Sequence, residues 1–353
     1  MSSKKIAVAM SGGVDSSVAA MILIQQGFDV DGFILNITGD IDSLNSAKII
    51  AQKLKITLHV IDCVQVFNSI VIQGMIDEYS SANIPNPCIQ CNKAIKWGFL
   101  YSQAKELGFN YLSTGHYARI TQGNDGRYTL LKGVDKQKDQ SYFLSYLTQE
   151  DLSHTLFPLG GMSKSEVRKL AMVNDLPNHE RTESQDLCFL KNGSIQGFLR
   201  KRVIGLNIPG NILDTNDRII GIHEGLAFYT IGQRKKLGIS STKPLYVLRK
   251  DRALNTIIVG NKNDGIFTGF IANNLNWIED IPTENLLRAQ VKIRYKAEPI
   301  WSDIKFSGDD TLLINLDHPL PDITPGQIAV LYDGDKVLGA GKIIRACDEI
   351  REE

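Results

Sequence analysis

Over its first two hundred residues the chain alternates short, nearly continuous apolar runs, at 6–10, 30–35, 58–61 and 111–113, with longer stretches whose apolar positions recur at helical spacing. Strands buried on both faces read this way, so the pattern predicts a parallel α/β sheet. Capping residue types put helix starts at Asp15-Ser16, at Asp42-Ser43 and after Asn92. From about Gly205 the pattern changes. Gly and Pro punctuate short runs at 219–222, 245–248 and 256–259, which predicts a small strand-rich domain. Alternating segments at 289–296, 311–316, 327–332 and 336–344 predict an antiparallel β-sandwich or β-barrel at the C-terminus. A chain of 353 residues is too long for one ordinary core, and the expected domains are 1–203, 204–268 and 269–353.

Composition adds exclusions. Hydrophobic residues make up 43% and charged residues 22%, with no apolar run near the roughly 18 to 20 residues that a membrane span needs. The strand-like start at Ile6 leaves no room for a signal peptide. No membrane partner and a cytoplasmic location are therefore expected. The five cysteines, Cys63, Cys88, Cys91, Cys188 and Cys347, are odd in number and unevenly spread, which fits reduced thiols better than a disulfide framework. Formal charge is zero, so nucleic-acid binding has to rest on local patches. Lys292, Arg294 and Lys296 alternate along an expected strand and would project from one face, and Arg200-Lys201-Arg202 and Arg234-Lys235-Lys236 form shorter patches. Solvated surface charge is the plain alternative for each.

The first strand ends in Ser11-Gly12-Gly13-Val14-Asp15-Ser16-Ser17, and a helical stretch follows at once. Two glycines permit a tight turn, and a helix N-terminus offers free N–H groups and positive partial charge, so an anion fits there. A plain strand-to-helix turn uses the same residue types. The loop has neither the lysine of a Walker motif nor the third glycine of a dinucleotide fingerprint. Its Ser-Gly-Gly-Val-Asp-Ser string resembles the pyrophosphate loop (PP-loop) of the ATP pyrophosphatases, which split ATP into AMP and pyrophosphate. The resemblance implies that ATP, with Mg²⁺, is held along Ala9, Met10, Ser11, Gly12, Gly13, Val14, Asp15 and Ser16. Open α/β sheets bind ligands at the carboxyl ends of their strands, where strand order reverses. Thr114-Gly115-His116 should therefore face the loop, with Gly115 allowing close approach to the nucleotide and Leu35 contacting the adenine.

Cys88 and Cys91 form a Cys-x-x-Cys. Zinc would need two further ligands, the histidines are scattered, and no metal site is expected. A redox dithiol is the other reading of the spacing. Longer motifs surround these thiols: Asn86-Pro87-Cys88 with Cys91-Asn92-Lys93, Thr114-Gly115-His116-Tyr117-Ala118-Arg119, Lys138-Asp139-Gln140-Ser141-Tyr142-Phe143-Leu144, Glu183-Ser184-Gln185-Asp186 with Cys188-Phe189, and Tyr229-Thr230-Ile231-Gly232-Gln233-Arg234. Together they resemble the tRNA-specific 2-thiouridylases, a branch of the PP-loop ATP pyrophosphatases, from Ala7 to about Ile344.

That resemblance implies a sulfurtransferase that adenylates the carbon-2 carbonyl of the wobble uridine of tRNA and replaces the oxygen with sulfur. It implies that Cys188 carries the sulfur as a persulfide and that Cys91 releases it through a Cys91–Cys188 disulfide. A cysteine desulfurase or sulfur-relay protein would be the donor. Asn86, Pro87 and Cys88 match the stretch that meets the target base, and His116, Lys138, Asp139, Gln140, Arg294, Tyr295 and Gln327 match positions of tRNA contact. Many members carry Asp where this chain has Cys88, and the stretch after Leu35 is short, passing through Thr38-Gly39-Asp40 into a helix. Two other readings use the same loop. A lysidine-synthetase-like or argininosuccinate-type enzyme would attack the adenylate with nitrogen and would need neither Cys91 nor Cys188. A non-catalytic tRNA-binding or sulfur-relay protein would keep the fold without turnover.

Overall fold

The computed structural model describes residues 4–181, 187–190, 193–203, 205–282, 285–308 and 310–348. Its first sheet is built around β1 (Lys5–Ala9), whose Ile6, Ala7 and Val8 are fully buried, as a strand covered on both faces requires. β2 (Asp29–Asn36), β3 (Leu58–Asp62) and β4 (Tyr111–Ser113) join it in parallel. With β7 (Thr155–Leu156) outside β4, the strand order is β3-β2-β1-β4-β7, so the direction of winding reverses between β1 and β4. A crevice opens there at the carboxyl ends.

The helices depart slightly from expectation. α1 (Val14–Gln25) is capped by Gly13, and α2 (Ile41–Leu54) by Asp40. The helix expected after Asn92 begins earlier, at Pro87. Proline presets the helical φ and suits the first turn, while Asn86 before it is extended at φ −111° and ψ 91°. From 87 to 106 the chain is helical without a break, and its middle, Cys91–Leu100, is a π-helix. A second π-turn, Asn68–Ile72, lies within the helical run 64–80.

β5 (Ala118–Gln122) and β6 (Tyr128–Lys132) form an antiparallel hairpin that reaches out of the first domain. The helix Ile195–Arg202 then leads to a four-stranded sheet of β8 (Gly210–Leu213), β9 (Ile219–His223), β10 (Tyr246–Asp251) and β11 (Thr256–Gly260), in the order β10-β11-β8-β9. This sheet packs on Met75 and Tyr79 of the run 64–80.

β12 (Ile266–Trp277), β13 (Leu286–Lys292), β14 (Ile300–Phe306), β15 (Thr311–Pro321), β16 (Ile328–Asp333) and β17 (Lys336–Cys347) pair in the order β12-β15-β14-β13-β16-β17, and β12 also pairs with β17. The result is a closed antiparallel barrel, the second of the two expected forms. The hairpin joins it through Leu131 of β6 opposite Lys336 of β17. Ala7, Phe33, Leu112 and Tyr142 share one hydrophobic core with Ile328, Val330, Tyr332 and Val337 of the barrel. The parallel sheet and the barrel are thus welded by apolar packing, where a hinge would leave a polar junction.

One expectation fails here. β13 ends at Lys292, so Lys292, Arg294 and Lys296 do not alternate along a strand; Arg294 and Lys296 lie in the turn that follows. In that turn Tyr295 packs on Phe143, with ring centroids 4.4 Å apart, a contact with a segment 152 residues away that local sequence does not reveal.

Candidate active site

The loop after β1 is shaped by its own side chains. Gly12 has φ +71°, and a Cβ there would meet the Ser43 carbonyl oxygen and Ser46 Cβ at 2.8 Å, so only glycine fits. Ser16 Oγ donates to the Gly13 carbonyl at 3.1 Å and accepts from the Ser11 N–H at 3.2 Å, and Ser17 Oγ donates to the same carbonyl at 2.9 Å. A second set of groups braces the loop from outside. Asn178 Nδ2 and Arg181 Nη1 each donate to the Gly12 carbonyl at 3.0 Å. Lys164 Nζ donates to both Asp15 oxygens at 2.7 and 2.8 Å, and the Tyr117 hydroxyl donates to Oδ1 at 2.8 Å. Ser16 is only 5% exposed, and Asp15 is half-buried inside this brace. Neither is the free surface side chain that a phosphate loop read alone would suggest.

Across the crevice, a Cβ on Gly115 would lie 2.8 Å from Asp15 C and Ser16 N, so the segment after β4 touches the loop backbone. The space they enclose is a cavity of ≈ 700 Å³. Ala9, Met10, Ser11, Asp15 and Ser16 form one wall, Leu35 with Phe33 and Val60 a second, and Gly115, His116 and Gln140 a third. The far wall is Pro87, Cys88, Cys91, Lys96 and Cys188. Gly12, Gly13 and Val14, expected along the nucleotide, belong to the same loop but do not line the cavity. The motif Glu183-Ser184-Gln185-Asp186 lies outside the described residues.

All five cysteines are free thiols. Cys188 is exposed, whereas Cys88 and Cys91 are half-buried. Burial pushes the Cys91 thiol up to about 12 and the Cys88 thiol up to about 11, and raises Cys188 as well. The ammonium of Lys96 opposes this at all three. Burial and, after it, Lys96 hold His116 well below the usual imidazole range, so His116 is neutral. Its Nδ1 bonds Thr114 Oγ1 at 2.7 Å, and its ring lies 6.0 Å from those of both Trp97 and Phe157.

Of the remaining sequence-predicted positions, all but Gln140 lie outside the cavity wall. Asn86 sits at its rim and is hydrogen-bonded to the buried Tyr142, whose hydroxyl donates to the Ile328 carbonyl at 2.8 Å. Gln327 Nε2 donates to the Ile84 carbonyl at 2.8 Å, and the Ile84 N–H donates to the Pro325 carbonyl at 2.9 Å. The barrel thereby holds the approach to Pro87. Asp139 is buried and accepts from the N–H groups of Gly133 and Ser141 at 3.0 and 3.1 Å, and Gln140 Oε1 accepts from the Tyr117 N–H at 3.0 Å. Lys138 lies one residue before this brace, and Arg294 is exposed in the turn after β13 beside Tyr295. Lys96, Lys164, Tyr117, Asn178 and Arg181 were not anticipated. Lys96 stands five residues after Cys91, a spacing that an α-helix would turn away, and Tyr117 stands in the motif 114–119 with no role assigned to it; for the others no local signal existed.

Residues 4–192 match the family described as the tRNA methyl transferase HUP domain, residues 196–261 the corresponding PRC-barrel domain, and residues 267–343 an aminomethyltransferase beta-barrel domain. The chain is 41% identical to the tRNA-specific 2-thiouridylase MnmA of Geotalea uraniireducens (strain Rf4), over 97% of this chain and 96% of that protein. It is also 41% identical to the tRNA-specific 2-thiouridylase MnmA of Clostridioides difficile (strain 630), over 96% of this chain and 98% of that one.

Proposed function

The chain belongs to the tRNA-specific 2-thiouridylase family, and on that premise we propose that it adenylates the carbon-2 carbonyl of the wobble uridine of tRNA with ATP and exchanges the oxygen for persulfide sulfur. The supporting observation is that the phosphate loop and the thiols Cys88, Cys91 and Cys188 line one cavity. Methyl transfer, the chemistry in the family's description, needs neither a pyrophosphate-splitting loop nor paired thiols. Nor does attack by nitrogen.

An amide-like oxygen is a poor leaving group, and adenylation turns it into AMP. The loop Ala9–Ser16 and Gly115 hold the nucleotide, with the adenine against Leu35. Mg²⁺ would arrive on the phosphates and neutralise their charge; among the described residues, Asp15 and Asp40 are the carboxylates that line the cavity. The terminal sulfur of a Cys188 persulfide attacks carbon 2, and AMP departs with the electron pair of the C–O bond. Cys91, its proton lost to solvent, then attacks the Cys188 sulfur. The persulfide S–S bond breaks, its electron pair goes to the departing sulfur, and that sulfur becomes the thiocarbonyl. A Cys91–Cys188 disulfide remains for a thiol reductant.

The exposure of Cys188 suits it to accept sulfur from a donor, a cysteine desulfurase or relay protein, in the cytoplasm where thiols stay reduced. Among the described residues no helix is long and apolar enough to cross a membrane. Residues 1–203 carry the chemistry, 204–268 a central sheet, and 269–353 a barrel on the tRNA side. Asn86, Pro87 and Cys88 meet the flipped base. Of the tRNA positions, exposed Arg294 contacts phosphate directly, with Lys138 and Tyr295 beside the same path, whereas His116, Asp139, Gln140 and Gln327 act by holding the walls.

The test is incubation with ATP, Mg²⁺, a persulfide donor and unmodified tRNA, followed by mass analysis of nucleosides. One sulfur per AMP, at the wobble uridine, is expected. Sulfur at another uridine, or AMP without sulfur, overturns the reading.

A further inference from the structure

Lys96 is the one lysine or arginine among the described residues lining the cavity, and it stands on the same wall as all three thiols. Its placement follows from the backbone. An α-helix, at 3.6 residues per turn, would point residues five apart roughly 140° away from each other. Cys91 and Lys96 are five apart, but they open the π-helix Cys91–Leu100, whose turns close by i→i+5 bonds and bring such pairs to one face. The π-register is therefore what lets a thiol and an ammonium share the cavity.

We propose that Lys96 is the charge-stabilising residue of sulfur transfer, holding the sulfur anion first on the Cys188 persulfide and then on the Cys91 thiolate. The proposal rests on the roles given above to Cys188 and Cys91. Both steps pass through a sulfur anion in a place where burial disfavours one, and each anion is consumed as its S–C or S–S bond forms. Lys96 neither gives nor takes a proton in this scheme; its fixed positive charge offsets the loss of water around sulfur. The other charged or imidazole groups lining the cavity among the described residues are Asp15, tied to Lys164, Asp40 at the start of α2, and neutral His116. Buried Cys63 faces Cys91 from the start of the run 64–80. None of these supplies positive charge.

The test uses the full-length chain and reads each thiol separately. Iodoacetamide labelling across the neutral to alkaline range, with peptide mass analysis, gives an alkylation midpoint for each cysteine in the parent, Lys96→Met and Lys96→Arg proteins. Lys96→Met is expected to raise the midpoint of Cys188 by roughly one pH unit and to slow alkylation of Cys91 at a fixed alkaline pH about tenfold. Cys347, which answers to Arg345 and not to Lys96, should not move. Lys96→Arg should restore the parental midpoints, and Lys96→Gln repeats the test if the Met variant does not fold. In single turnover near neutral pH, Lys96→Met should slow sulfur transfer about tenfold while pyrophosphate release persists. Unmoved midpoints in the Met or Gln variant, or a folded Arg variant that fails to restore them, overturn the proposal. A parent protein that forms no thiouridine instead defeats the functional reading, and the midpoints still decide the role of Lys96.

Discussion

The two ends of the cavity are built by different physics. At the phosphate-loop end, hydrogen bonds of 2.7 to 3.0 Å from Lys164, Tyr117, Asn178 and Arg181 fix the loop. At the sulfur end, burial keeps Cys88 and Cys91 protonated, and one cation partly offsets it there and at Cys188. Phosphate recognition needs many donors aimed in advance, so order is built into the backbone. A thiol that ionised freely would oxidise or react without its substrate, so the sulfur end holds its nucleophiles in reserve. The two ends should therefore fail independently.

The largest test of that independence is Cys188→Ser. It is expected to abolish thiouridine while leaving pyrophosphate release in the presence of tRNA, and loss of both by a folded variant would merge the two ends. Asp15→Ala should do the reverse, lowering adenylation roughly 100-fold by freeing the loop while Cys188 still loads sulfur from a donor. Because the largely buried Lys164 ammonium then loses an ion-pair partner, the same variant should also be less stable, by about 1–3 kcal/mol. Gly115→Ala comes next. Its methyl group would push on Asp15 and Ser16, raising the KM for ATP about tenfold, with thiol alkylation midpoints unchanged.

A smaller effect is a pH dependence of stability. The folded chain holds Cys91 and Cys88 neutral, so above the ordinary thiol value near 9.0 the unfolded chain loses those protons first. The associated stability is present below that value and declines as pH rises toward about 11 and 12. Denaturant titrations of Cys91→Ser should show a shallower alkaline decline than the parent. The smallest effect belongs to the barrel turn. Arg294→Ala should reduce the logarithmic salt slope of tRNA binding by about 0.7 to 0.9, one phosphate contact. Lys292→Ala should change it less, because Lys292 lies over the Tyr295 ring, 5.6 Å from its centroid, and burial lowers its pKa.

Sequence reading succeeds where a feature is local. β1, its glycine turn and the start of α1 are dictated within a dozen residues, because apolar run, turn and cap are neighbours along the chain. Cys88 and Cys91 share a helix for the same reason. It fails where a distant packing partner decides. The alternation of Lys292, Arg294 and Lys296 is a fair strand signal, yet β13 ends at Lys292 and Tyr295 packs on distant Phe143. The hairpin β5–β6 was not anticipated, because its outer pairing is completed by β17 from the far end of the chain.

The sequence by itself determined a parallel α/β sheet with a phosphate loop, a strand-rich remainder, and the family to which the thiol motifs belong. The resemblance already paired Cys91 with Cys188, but tertiary structure alone decided that these thiols line one cavity with the loop after β1 and that Asp15 is held by Lys164. It also decided that a π-turn swings Lys96 toward sulfur and that the barrel, through Gln327 and Ile328, props the approach to Pro87. Backbone propensity and capping act over a few residues, whereas burial, charge pairing and cavity walls are made by groups that only the folded chain brings together.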